Sequence, residues 1–281
     1  MASLELEARL DNLLATAQAE TANIDLFAPL IDREDCPICM IPLPHRESGI
    51  RFMTCCGKNI CIGCDRKHTD TEIKKGVTEI KKKGARKIEL KCAFCCQTLP
   101  KNTIKALKKL TKKNNPSAII QIMACEYRSG EMTLQSNTKA LELLICAAEL
   151  GCTKAYELIG KYYEDGIALE QNMSRALEFN EVAAKKGSML AHLYLAIFHG
   201  KSLVDNESVL KGIDHMKVAA SAGCQEAMDM LLHFYKHELV TKEEMTQALR
   251  AFQASDRIMK WENKDPDDDL AKTLRKYKVS K

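Results

Sequence analysis

Thr54-Cys55-Cys56-Gly57-Lys58-Asn59-Ile60-Cys61-Ile62-Gly63-Cys64 holds four cysteines in eleven residues. A further pair lies upstream in Cys36-Pro37-Ile38-Cys39, and another downstream in Cys92-Ala93-Phe94-Cys95. The order is Cys-x2-Cys, 15 residues, Cys-Cys, 4 residues, Cys-x2-Cys, 27 residues, Cys-x2-Cys. Each Cys-x2-Cys can bring two sulfurs to one ion at about 2.3 Å. Eight thiolates are enough for two tetrahedral zinc ions. The surrounding stretch is broken by Pro37, Pro42, Pro44, Gly49, Gly57 and Gly63. A loop-rich segment of this kind needs metal to fold. Such a full thiolate shell leaves no open position for water, so the metal is structural rather than catalytic.

The rest of the composition agrees with that chemistry. The chain has 281 residues, room for about two domains, and 46% hydrophobic residues. No apolar run approaches the roughly 18 residues of a membrane span. The opening residues carry Glu5, Glu7, Arg9 and Asp11 where an export signal would be apolar. A reducing compartment, cytoplasmic or nuclear, is therefore expected. There, 13 cysteines read as metal ligands and core residues before disulfides.

Downstream the chain repeats itself every 36 residues. Gly151, Gly187 and Gly223 share one column, and Ala155, Ala191 and Ala227 another. The pairs Ala147–Ala148, Ala183–Ala184 and Ala219–Ala220 precede the glycines. Tyr127, Tyr163 and Tyr235 fall in register, with His199 in the same slot, and Lys139, Arg175 and Lys211 form a further column. One copy reads as a helix from Ala155 to Glu164, a turn at Asp165–Gly166, and a helix from Asn172 to Lys186 capped by Gly187. No copy can bury its apolar face alone, so the copies stack into a curved α-solenoid.

The motif Ala155-Tyr-Glu-Leu-Ile-Gly160-Lys-Tyr-Tyr163-Glu-Asp-Gly166, with Arg175-Ala176-Leu177 and Ala183-Ala184-Lys-Lys-Gly187, resembles a Sel1-like repeat. That family is similar to tetratricopeptide repeats but longer. Copies would occupy 117–152, 153–188 and 189–224, followed by a capping copy. The third departs from the pattern at His199, Ser202 and Gly212, so an irregular loop is expected there. The resemblance implies a protein-interaction scaffold.

Cys56-Gly57-Lys58-Asn59-Ile60-Cys61 resembles the Cys-Gly-His-x-x-Cys core of a RING domain. Lys58 stands where the usual histidine ligand would be, and ammonium cannot ligate zinc, so Cys55 would supply the donor in an all-cysteine variant. The RING cross-brace then implies Cys36, Cys39, Cys61 and Cys64 on one Zn2+ ion, and Cys55, Cys56, Cys92 and Cys95 on the other. Cys96, His68 and His45 are alternative donors. The resemblance implies that a shallow apolar groove recruits a ubiquitin-conjugating enzyme charged with ubiquitin. Ile38 matches one groove position and Phe94 could supply part of the other loop. Cys96 stands where many active ligases carry a basic residue, and the last pair lacks the common proline.

The expected fold class is a small zinc-stabilised α+β RING-like module followed by an all-α solenoid. Its parts are an amphipathic helix in 1–31, the zinc-binding domain in 32–100, a basic helical linker in 101–116, the solenoid in 117–253 and a charged tail in 254–281. In the first of these, Leu6, Leu10, Leu13, Leu14 and Ala17 make one helix face, suited to dimerisation or to covering the zinc module.

Arg66–Lys113 carries 16 Lys and Arg against 4 Asp and Glu, so the rest of the chain nets −8 within an overall +4. This basic stretch could touch nucleic acid, but its helical part lacks stacking aromatics, and solvated helix faces are the simpler reading. His233 and His237 stand at i, i+4 without a third ligand nearby. Cys125, Cys146, Cys152 and Cys224 read as small core residues. No nucleophile–base set, phosphate loop or dinucleotide fingerprint is present. The leading expectation is a RING-type ubiquitin ligase whose repeats bind a protein substrate or complex partner. The alternative is a non-enzymatic adaptor with a structural zinc module.

Overall fold

The computed structural model describes residues 2–30, 33–45, 47–83, 90–129, 134–201 and 206–262. They fall into two compact units, one within Met1–Asp32 and Leu107–Asp256, the other centred on Arg33–Ala106. Ser202, most of the charged tail, residues 84–89 of the basic stretch, and the side chains of Cys125 and Tyr127 lie outside the described residues.

The larger unit is helical. Helix α1 spans Ala2–Glu20, and the repeats supply α4 (Pro116–Ser129), α5 (Leu134–Glu149), α6 (Thr153–Asp165), α7 (Met173–Lys185), α8 (Met189–Lys201), α9 (Asn206–Ser221), α10 (Gln225–Lys236) and α11 (Lys242–Glu262). Neighbours in sequence pack as neighbours in space, the signature of a solenoid. The column glycines Gly151, Gly187 and Gly223 have φ of 81°, 88° and 91°. After Gly187, the Ser188 N–H reaches back to the Ala183 carbonyl at 3.0 Å, turning the chain into the next helix. Asn172 caps α7 by accepting from the Arg175 N–H at 3.1 Å. All six paired alanines are at most 2% exposed, and they let the second helices nestle closely.

The helix crossings are equally tight. A Cβ on Gly160 would come within 2.5 Å of Asn180 Nδ2 and 3.1 Å of the Ala176 carbonyl. Gly212 does the same one copy later, 3.1 Å from the Gly200 nitrogen. His199 and Gly212 lie inside α8 and α9, and residues 202–205 between these helices, where the irregular loop is expected, lie outside the described residues.

Helix α1 belongs to this solenoid. Leu6, Leu10, Leu13, Leu14 and Ala17 are buried in one core with Leu144, Tyr156 and Phe179. Its rim is polar: Arg9 pairs with Glu149 at 3.1 Å, Lys186 with Glu20 at 2.9 Å, and Arg175 with Asp11. The Tyr163 hydroxyl donates to Glu7 at 3.0 Å. The amphipathic face is thus spent on α5 and α7 instead of being left open for a dimer. The chain continues across the repeats, with Leu26 packed on the first core and Leu30 on a second, built from α8–α11.

The smaller unit holds a short hairpin, β1 (Ile50–Met53) and β2 (Lys58–Cys61), with Ile50 opposite Cys61 and Met53 opposite Lys58. Helix α2 (Ile62–Lys83) leaves the hairpin directly. Helix α3 (Thr103–Thr111) is the basic connector, capped by Asn102, which accepts from the Lys105 N–H at 2.8 Å. The core here is small: Cys36, Leu43, Met53, Ile60, Cys61 and Cys92.

Candidate metal centre

The cysteines come together as two interleaved sets. Cys36, Cys39, Cys61 and Cys64 have sulfurs mutually within 4.8 Å, and so do Cys55, Cys56, Cys92 and Cys95. The first sequence pair meets the third, and the second meets the fourth.

The backbone explains how. Two loops share one pattern. The Cys36 N–H donates to the Ile41 carbonyl at 2.8 Å, and the Met40 N–H returns to Cys36 at 2.8 Å. In the other, Cys92 N–H donates to Gln97 at 2.8 Å, and Cys96 N–H to Cys92 at 3.1 Å. Each is closed by an isolated bridge, Asp35 with Pro42 and Lys91 with Thr98. Each puts its residue after the second cysteine at positive φ, Met40 at 57° and Cys96 at 58°. The adjacent Cys55 and Cys56 sit in the hairpin turn, where Gly57 at φ 73° donates to the Met53 carbonyl at 2.7 Å. This tight turn is what allows neighbours in sequence to face one centre. Cys61 ends β2 and Cys64 lies in the first turn of α2, whose free N–H groups favour negative charge.

The sulfur geometry fits a metal. Cys39 and Cys61 are 3.8 Å apart, Cys56 and Cys92 3.9 Å, and Cys55 and Cys95 3.5 Å. Metal–sulfur bonds of about 2.3 Å in a tetrahedron put sulfurs about 3.8 Å apart. A disulfide needs about 2.0 Å, and all eight thiols are free. Backbone N–H groups aim at the sulfurs: Cys61 at Cys36, Cys64 at Cys61, and both Phe94 and Cys95 at Cys92, each at 3.4 Å. Such donors orient thiolate ligands and share their charge.

Protonation points the same way. Burial and neighbouring sulfurs push the Cys55, Cys56 and Cys61 thiols up, and Cys64 up to about 12. At Cys36, burial is outweighed by backbone donors from Cys61, Cys39 and Ile38, and the thiol falls to about 7. Cys95 is lowered too: burial raises it, but the Gln97 N–H and the Cys55, Cys92 and Cys56 sulfurs together outweigh burial. Four thiols crowded this way ionise together only with a cation among them.

The alternative donors stay out. Cys96 is exposed, and His68, His45 and Cys96 belong to neither set. Lys58 contributes through its backbone, whose N–H reaches the Cys56 sulfur, while its side chain is exposed. Ile38 and Phe94 occupy equivalent places in the two matching loops and are 40% and 42% exposed. His233 and His237 have ring centroids 4.7 Å apart with planes tilted by 60°, and gather no third ligand among the described residues. Among the described residues no helix is long and apolar enough to cross a membrane.

No family model matches the chain, and no curated protein does. Several solved structures are similar to it, among them the following two. One is a Sel1 repeat protein from Oxalobacter formigenes, 22% identical, matched over 69% of this chain and 75% of that one with a TM-score of 0.46. The other is a protective antigen present in uropathogenic Escherichia coli strains that displays an SLR fold, 20% identical over 68% of this chain and 38% of that one, with a TM-score of 0.42. The helical-repeat architecture itself rests on the pairing of α4 to α11.

Proposed function

We propose that the chain is a two-ion zinc protein of RING type that recruits a ubiquitin-conjugating enzyme and presents a substrate or complex partner held by its repeats. It works in a reducing compartment, the cytoplasm or nucleus. The observation that carries this reading is the interleaving of two four-sulfur sets, the first cysteine pair with the third and the second with the fourth. Zinc suits four thiolates at tetrahedral spacing. Ile38 and Phe94 support a docking role because they project from equivalent loop positions instead of filling the core. Met40, 70% exposed, and Ile41 are further exposed apolar residues of the Cys36 loop. With no open coordination position, the protein's contribution is to hold a charged conjugating enzyme so that a lysine amine meets its thioester.

A second reading, an adaptor without ligase activity, is favoured by Cys96. It is exposed at the position where a cation would contact ubiquitin, and a thiol supplies no such contact. An autoubiquitination assay on the full chain with a panel of conjugating enzymes separates the two. Ubiquitin chains that fall about tenfold in rate in Ile38→Ala or Phe94→Ala, the loss of one apolar anchor, support recruitment. No chains with any conjugating enzyme, from protein carrying two zinc ions by native mass spectrometry, leave the adaptor.

A further inference from the structure

The second repeat copy is organised around three aromatic rings. Tyr156 and Tyr163 of α6 lie against Phe179 of α7, with ring centroids 6.5 Å and 5.7 Å away. One repeat later all three positions are histidine: His192, His199 and His215. They keep the arrangement. His215 lies 5.1 Å from His192 and stacks on His199 at 5.9 Å. His192 and His215 are 1% and 2% exposed. Their Nδ1 atoms are 3.0 Å apart, so one ring donates its proton to the lone pair of the other. His192 also bonds the backbone of Ala184 in α7. Against the edge of this cluster lies the N-terminal segment: the Phe27 ring meets His215 at 4.9 Å.

We infer that this histidine cluster is an acid-sensitive clasp, which holds the segment after α1 on the repeats while the rings are neutral and lets it go when they take up protons. The pairing of His192 with His215 needs one bare nitrogen. A proton on that nitrogen sets two N–H groups face to face and places a positive charge where water does not reach. The surroundings offer little compensation. The described charged groups that act on the cluster are Glu181 of α7 and Lys211 of α9, of opposite sign and both at His199. From α10 the core receives Met228, Leu231 and Phe234, which carry no charge. On the segment, Asp25 is exposed and accepts from the Phe27 N–H at 3.0 Å. Replacing Tyr and Phe by His gives up apolar surface that the second copy keeps, and gains the His192–His215 hydrogen bond and the ability to titrate.

The direction follows from linkage. Burial lowers all three imidazoles, His192 to about 4 and His215 to about 3. A released, solvated histidine titrates near 6.5. The open form therefore binds more protons at every pH below about 6.5, and opening becomes easier as pH falls through that value toward about 4. One histidine exposed on release raises the opening equilibrium about 10-fold between pH 7.5 and pH 5.5, and two raise it about 100-fold.

Hydrogen exchange of the full chain tests this. The Ile24 and Ala28 amides are bonded to Thr21 and Asp25 within the segment and report on it. After correction for the chemical exchange rate, their protection should fall at least about 10-fold from pH 7.5 to pH 5.5, while α7 amides keep theirs. The variant H192Y/H199Y/H215F, which restores the trio of the preceding copy, should hold protection constant. If that variant fails to fold, His215→Phe alone should reduce the pH dependence. Protection that does not change with pH in the natural chain, or that falls equally in the variants, overturns the proposal.

Discussion

Gly160 shows at a single position how the solenoid closes. Its missing Cβ is the space into which Asn180 fits, and Asn180 Nδ2 donates to the Ala176 carbonyl at 2.8 Å in the buried crossing. Gly160→Ala improves intrinsic helix propensity by about 1 kcal/mol, but it drives a methyl into this contact. The overpacking term dominates because the Ala176 carbonyl is backbone and cannot swing aside. A net loss of about 1–3 kcal/mol is expected, read as a lower midpoint in urea denaturation. This residue was visible in the sequence as part of the repeat motif, but its role was not. The same holds for His192 and His215, which share the register of Tyr156 and Phe179. Only His199 attracted notice, because a column of tyrosines made it conspicuous.

At the level of elements, the start of α11 holds a device that went unread. Thr241 and Glu244 form a reciprocal cap: the Glu244 N–H donates to Thr241 Oγ1 at 3.2 Å, and the Thr241 N–H to Glu244 Oε2 at 2.9 Å. Lys217 of α9 donates to the same carboxylate at 2.6 Å. Lys217 first, and the Thr241 donors after it, hold the Glu244 carboxyl at about 2. A carboxyl held below its unfolded value of about 4.3 stabilises the fold above that pH, and the benefit is lost as pH falls toward about 2. Glu244→Gln should flatten the acid limb of thermal stability in this range while leaving the other helices intact, measured by circular dichroism from pH 6 to pH 2.5. The boundaries of α6 and α7 were legible within two residues, since capping chemistry marks them: Asn172 before and Gly187 after. The partner of α1 was not legible. Its leucine face states that something covers it, and nothing in 3.6-residue periodicity says what.

For the whole molecule, the two units owe their order to different physics, and that difference can be measured. The repeat unit has two extensive apolar cores. The smaller unit has a core of six buried residues, three of them cysteines. Structural zinc held as proposed by the two four-sulfur sets would contribute about 10–16 kcal/mol to such a fold. Exhaustive chelation of the full chain should therefore erase the hairpin and its two loops while most helical signal remains, leaving the single thermal transition of the repeats. Loss of all structure in one step, or a smaller unit that survives chelation, would contradict the assignment. The cysteine spacing made this unit readable because metal geometry is short-ranged and specific. The division into helices and a cysteine module was likewise open to reading. The joining of the first thirty residues to the repeats was not, since it depends on contacts more than a hundred residues apart.

The placement of α1 also sets an order of events during synthesis. Its buried leucines meet α5 as well as Tyr156 and Phe179, so their native packing is complete only once the ribosome has added about 160 further residues. At about 5–20 residues per second that interval is roughly 10 to 30 seconds. Through it a greasy helix waits outside the exit tunnel, a natural client for a chaperone that shields nascent chains.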